Sequence, residues 1–105
     1  MRAGNLDRLI SIERPVTSLN LYGTPIQTWE LVASVRAQLM ANAIDNREAE
    51  GPKTEATNTF RIYWRGGVSL DNRVVYDGHE YTIQHIAELG RRVGLDLKCR
   101  HVGPL

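Results

Sequence analysis

The fold is decided by residues 60–100, FRIYWRGGVSLDNRVVYDGHEYTIQHIAELGRRVGLDLKCR. Apolar and polar side chains alternate over residues 60–65 and again over residues 95–100, which is the period of strands with one wet face. Between them Asp77-Gly78 separates two apolar runs, and Asp-Gly tolerates the positive φ angles of a two-residue type I′ hairpin turn. The stretch therefore predicts three antiparallel strands joined by tight turns.

Two further features of this stretch bear on its geometry. The apolar face shifts from Tyr81 and Ile83 to Ile86, which predicts a bulge near Gln84-His85. A second turn over residues 89–94, rich in glycine and arginine, leads into the last strand.

The N-terminal half also alternates. Residues 8–14 predict a strand that Pro15 closes, because proline cannot donate to a ladder, and residues 16–24 predict a loop. Apolar residues occupy the odd positions of 29–39, which favours a long strand in which Val32 is the misfit. A helix is the alternative there, since several of the same apolar residues share a helical face.

These elements predict a mainly β fold, a small antiparallel β-barrel or compact sandwich, in a single domain over residues 1–105. A long polar loop over residues 42–58 is expected between strands two and three, with a short helical turn over residues 45–50. The expected core comprises Ile10, Ile12, Val35, Leu39, Ile62, Trp64, Ile83, Leu95 and Leu97.

Composition argues against several functional classes. Thirteen basic and twelve acidic residues give a net charge of +1, so the chain lacks the electrostatic footprint of a dedicated nucleic-acid or membrane binder. The single cysteine, Cys99, excludes an internal disulfide and a cysteine-based metal cluster, and its apolar strand face predicts a buried thiol. The N-terminus is charged from Arg2 and lacks an apolar run, so we expect no signal peptide or membrane span.

Reactive motifs are missing from the sequence. His79, His85 and His101 occupy separate strand positions without the spacing of metal ligands. No serine lies in a Gly-x-Ser-x-Gly elbow, and no glycine-rich sequence links a strand to a helix to hold phosphate. We therefore expect no catalytic, metal-binding or cofactor-binding residues and no enzymatic activity.

The predicted loop is the best candidate for contact with a partner. A polar loop of this length is usually functional or disordered, and it would gain order only against another molecule. The alternative is a solvated mobile loop with no role. With two arginines of the second turn, the candidate contact residues are Asp45, Arg47, Glu48, Glu50, Lys53, Glu55, Arg91 and Arg92.

Short segments in order along the chain carry a resemblance. They are residues 4–15 (GNLDRLISIERP), 22–25 with Trp29, 35–37, 61–65, 73–83 and 95–97. As a set they resemble the head-tail joining proteins of tailed phages, also called head-tail adaptors or head closure proteins. The Gly-x-Leu-Asp-Arg start, followed by a strand and Arg-Pro, is distinctive.

This resemblance implies a function in assembly. It implies a small β-barrel that forms a ring below the portal and adaptor proteins, retains the packaged DNA and offers a docking surface to the tail. Such a protein is located in the virion, at the interface of head and tail, and in the host cytoplasm during assembly. DNA would pass through the channel without sequence-specific binding, and no membrane is involved.

Other functions remain open on the sequence alone. A tail-completion protein of the same junction would look similar. A β-barrel that binds single-stranded nucleic acid would use Tyr63, Trp64 and Arg65 with Arg91-Arg92, although only Tyr63 would remain for stacking if Trp64 points into the core. A small enzyme or enzyme subunit has no motif in its favour.

Overall fold

The computed structural model describes residues 3–47 and 53–102 of the chain. A short 3-10 helix, Ala3–Asn5, precedes six strands: β1 Arg8–Leu19, β2 Pro25–Arg47, β3 Lys53–Tyr63, β4 Arg73–Tyr76, β5 His79–Leu89 and β6 Gly94–Val102. Neighbouring strands are antiparallel in the order β1-β2-β3-β6-β5-β4, and β4 pairs with β1 to close a barrel. The mainly β antiparallel fold is confirmed, whereas the single domain over residues 1–105 stays a prediction.

The antiparallel order sends the connections alternately to two ends of the barrel. The β1–β2 hairpin, the β3–β4 connection and the β5–β6 turn lie at one end, here called the upper end. The β2–β3 hairpin and the β4–β5 turn lie at the other, the lower end. This division decides which surfaces can meet a common partner.

The local signals of residues 60–100 are confirmed, with one correction. Asp77 and Gly78 have φ angles of 52° and 77°, as the hairpin turn requires. Ile83 pairs with Cys99 and His85 with Lys98, so Gln84 is the extra residue of the predicted bulge. The prediction of three strands was wrong, because the stretch contains the end of β3 and all of β4, β5 and β6.

The long strand predicted over residues 29–39 is confirmed, and the helical alternative is wrong. β2 begins earlier, at Pro25. Val32, the residue that broke the predicted alternation, lies in a β-bulge. Ile12 pairs with Ala33 and Glu13 with Leu31, so Val32 has no partner opposite it. The bulge reverses the faces before it, which leaves Leu31 57% exposed while Val32 packs against the core.

Pro15 does not close β1, and residues 16–19 are strand instead of loop. The amide of Asn20 donates to the carbonyl of Thr24 at 3.0 Å, and antiparallel ladders alternate hydrogen-bonded with non-hydrogen-bonded pairs. Asn20 and Thr24 form a hydrogen-bonded pair, so every second pair along the ladder, starting with the next one, is non-hydrogen-bonded. These include the pairs of Leu19 with Pro25 and of Pro15 with Trp29. Each proline therefore occupies a position where its missing N–H costs no bond within the hairpin.

The prediction of a long loop over residues 42–58 is also wrong for residues 42–47 and 53–58, the part of this segment that the structure describes. Residues 42–47 of β2 pair with residues 53–58 of β3 in continuous register, from Asn42 with Asn58 to Arg47 with Lys53. The helical turn expected from Asp45 is therefore replaced by strand over 45–47, and the rest of that turn lies outside the described residues.

The interior is filled from every strand of the barrel. Among the nine expected core residues, Ile10, Ile12, Ile62, Ile83, Leu95 and Leu97 are buried, and Val35, Leu39 and Trp64 are half-buried against them. Phe60 lies among them and meets the rings of Tyr76 and Tyr81 edge to face, at 5.2 and 6.0 Å between centroids. The predicted buried thiol of Cys99 is confirmed.

Replacing Leu97 by Ala should lower the free energy of unfolding by about 2–5 kcal/mol, the range for emptying a large aliphatic site in a packed core. Leu97 is fully buried, whereas Leu9 is 61% exposed on the same barrel and provides a matched control. Leu9→Ala should change stability by less than about 0.5 kcal/mol. Urea unfolding followed by circular dichroism measures both, and equal effects would show that the strand faces are misassigned.

Candidate interaction surfaces

Four of the predicted contact residues lie together at the lower end. Asp45 and Arg47 are on β2, opposite Glu55 and Lys53 on β3, in the register of the β2–β3 hairpin. Glu48 and Glu50 lie outside the described residues.

Arg91 and Arg92 lie at the upper end instead, in the turn between β5 and β6. Along β3, Glu55 pairs with the end of β6 and Tyr63 with its start. Eight residues separate these two positions, about 26 Å at the rise of a strand. The two arginines therefore do not share a surface with the β2–β3 hairpin, and the contact role of all eight residues stays a prediction.

The β5–β6 turn packs on a tryptophan. Arg92 has a φ angle of 56°, and its guanidinium lies 4.8 Å from the ring centroid of Trp64. Because Trp64 also packs against the core, Tyr63, at 49% exposure, is the more accessible aromatic ring. This arrangement disfavours the aromatic stacking platform that the nucleic-acid alternative requires.

An apolar pocket of about 440 Å³ opens beside Trp64. Three chain segments line it: Ala3 and Leu6, then Val35 and Arg36 of β2, then Tyr63, Trp64 and Arg65. The Nε atom of Arg65 is buried and has no hydrogen-bond partner among the described residues. Sequence analysis missed this pocket because its lining comes from segments far apart in the chain.

Arg73 holds the base of the β1–β2 hairpin against the barrel. Its Nε donates to Glu13 at 2.7 Å, and the side chains of this pair are only 20% and 22% exposed. A second carboxylate, Glu80, lies 3.3 Å from the same guanidinium, which is 4.2 Å from the ring centroid of Trp29. The hairpin thus leaves the barrel from a fixed position.

The tip of this hairpin is well formed and apolar. The side-chain oxygen of Asn20 accepts hydrogen bonds from the amides of Tyr22 and Thr24 at 2.9 and 3.0 Å, and Gly23 has a φ angle of 76°. Leu21 is fully exposed and Tyr22 is 92% exposed. Residues 15–29 contain no charged side chain, and this was the sequence signal that could have identified the surface.

Within residues 3–47 and 53–102, no group of three or more His, Cys, Asp or Glu side chains could hold a metal ion. The rings of His79 and His101 lie 5.4 Å apart across β5 and β6, a contact that the sequence did not reveal. Among the same residues, no helix is long and apolar enough to cross a membrane.

Burial makes Cys99 a poor nucleophile, because desolvation raises the pKa of its thiol from 9.0 to about 12. The folded state thus favours the neutral thiol, so its contribution to stability is complete below pH 9 and is lost as the pH rises from 9 through about 12. We expect the stability difference between wild type and Cys99→Ala to shrink by about 1 kcal/mol between pH 8 and pH 10. Urea unfolding at both pH values measures this, and a constant difference would contradict it.

The comparisons with known proteins agree with this architecture. The family model of phage head completion proteins matches residues 1–102. The fold is similar to a chain in the virion of a native gene transfer agent particle, with a TM-score of 0.72 and 18% identity over 92% of this chain and 94% of that one. It is also similar to the solution structure of a protein from Shigella flexneri 2a, with a TM-score of 0.63 and 18% identity over 96% of each chain. No curated protein matches the chain.

The family match defines a structural protein of the phage head, and the fold agrees with it. The chain belongs to the phage head completion protein family. The resemblance to phage head closure proteins seen in the sequence is thereby confirmed.

Proposed function

We propose that the protein is a head closure subunit. Copies form a ring under the portal and adaptor proteins, retain the packaged DNA and present a docking surface to the tail. The chain acts through its surfaces without catalysis, first in the host cytoplasm during assembly and then at the head-tail interface of the virion. The observation that carries this proposal is the pair of hairpins at opposite ends of one barrel.

A ring subunit that also docks another virion protein needs one contact surface for its neighbour in the ring and a separate one for that protein. β2 supplies both, since its first half pairs with β1 in the upper hairpin and its second half pairs with β3 in the lower one. The barrel between them holds the two surfaces at a fixed separation in a molecule 49 Å long.

The charge balance suits a channel through which DNA passes. Several arginines are matched by carboxylates, as in Arg61 with Asp96 at 2.8 Å and Arg14 with Glu30 at 2.9 Å. With a net charge of +1, the chain as a whole lacks the excess of cations that releases counterions from DNA and binds it tightly. The near-neutral charge therefore supports retention of DNA by closure of the ring instead of by electrostatic binding to the protein.

Ring closure follows from symmetry. Heterologous contacts between identical subunits form a ring when the rotation between them closes. Weak contacts suffice when many copies bind one template, because each bound copy raises the effective concentration of the next. Ordered assembly on the portal then excludes premature rings.

Replacing Glu48, Glu50 and Glu55 together by Ala should leave the melting temperature nearly unchanged yet reduce the joining of filled heads to tails. The expected reason is the loss of carboxylates that contact a partner, while changes of surface residues usually affect stability little. Complementation of a phage lacking the gene, with particles scored for DNA content and tails, measures the effect. Glu88→Ala, which removes one exposed carboxylate on β5, is the control for loss of surface charge away from the β2–β3 hairpin. Wild-type joining by the triple variant would refute this placement of the contact surface.

The isolated protein should be monomeric or weakly associated at micromolar concentration, because the portal template drives ring closure. Sedimentation velocity over a range of concentrations tests this expectation. A stable ring at low concentration, without portal, would contradict template-driven closure.

A further inference from the structure

We infer that the apolar tip of the β1–β2 hairpin in one copy binds the apolar pocket beside Trp64 in the next copy of the ring. The tip comprises Leu19, Leu21, Tyr22 and Ile26, and the pocket is the one lined by Leu6, Val35, Tyr63 and Trp64. This inference rests on the proposed function, because it names the contact through which the ring closes.

The tip has the character of a binding surface. Leu21 and Tyr22 are almost fully exposed at the turn, and Leu19 and Ile26 are exposed on the two opposite faces of the ribbon just behind it, whereas exposed apolar residues are ordinarily scattered singly. The turn is held by Asn20, so the conformation of Leu21 and Tyr22 is set before binding and little entropy is lost on contact. A tyrosine with a free apolar face is a common anchor at protein interfaces.

The pocket complements this tip in polarity and charge. Its walls are mainly apolar, and two arginines, Arg36 and Arg65, line it beside them. The tip segment, residues 15–29, carries no charge that these arginines would repel. The buried Nε of Arg65 has no acceptor within residues 3–47 and 53–102, and the hydroxyl of Tyr22 or a carbonyl of the turn in the next copy supplies one.

A chain cannot make this contact with itself. Pro25 and Val35 both belong to β2, and ten residues of strand place them about 30 Å apart. Arg73 and Glu13 fix the hairpin base, so the hairpin cannot fold back over that distance. The occupant of the pocket is therefore the tip of a different copy.

The contact suits a ring better than a free dimer. The tip and the pocket are different surfaces, so the interface is heterologous and every copy in a closed ring uses both. A few side chains bury several hundred Å², which is below the roughly 1,200 Å² typical of stable complexes. The contact is accordingly too weak to close a ring in solution and sufficient on a template.

Disulfide trapping in assembled particles tests this inference. The test variant is Tyr22→Cys with Tyr63→Cys. The native Cys99 is buried and is therefore not expected to form a disulfide with another copy. Oxidation should convert the variant into a ladder of covalent multimers, because each copy links to the next. The single variants should give no ladder, and Tyr22→Cys with Gln84→Cys, an exposed position outside the pocket, should give none either.

Three outcomes would overturn the inference: multimers absent although the variant is incorporated into particles, dimers from Tyr22→Cys alone, or a link from Tyr22→Cys to another virion protein. Failure of the wild-type protein to enter particles would instead refute the proposed function. If the first pair melts well below wild type, Tyr22→Cys with Arg36→Cys makes the same test at an exposed rim position.

Discussion

The division of β2 between two partner strands determines the architecture. Its pairing with β1 reaches Ala37, and its pairing with β3 begins at Gln38. Bulges at Val32 and Met40 lie on either side of the point where β2 changes its partner strand. Bulges bend a strand and increase its twist. The bent strand therefore sends one hairpin to each end of the barrel, and the two candidate interaction surfaces are consequences of that bend.

Closure of the barrel depends on a short ladder. β1 and β4 pair at three positions, Ser11 to Glu13 with Val75 to Arg73. Isolated surface ion pairs contribute little to stability, but the Arg73–Glu13 pair is about four-fifths buried and lies at the edge of this ladder. The guanidinium of Arg73 also stacks on Trp29 of β2. The residue that helps to close the barrel therefore also fixes the position of the upper hairpin. The same side chains thus serve the fold and the presentation of a surface.

The sequence predicted those parts of the molecule in which burial of one strand face produces an alternation of apolar and polar residues. Alternation revealed the barrel strands, Asp77-Gly78 the hairpin turn, and the shift of the apolar face the bulge at Gln84. The lower hairpin was missed because residues 42–47 and 53–58 are mostly polar, so their pairing leaves no hydrophobic alternation. The pocket was missed for another reason, since its walls meet through topology and no local motif encodes them.

Pro15 and Pro25 affect how the upper hairpin behaves among many copies of itself. Both lie in non-hydrogen-bonded pairs, so their ring nitrogens face the two outer edges of the ribbon. An incoming strand needs an N–H donor at those positions and finds none, which interrupts edge-to-edge pairing. Edge-to-edge pairing between the ribbons of many copies is therefore disfavoured at these two positions, and contacts of the ribbon depend on its side chains instead of its backbone.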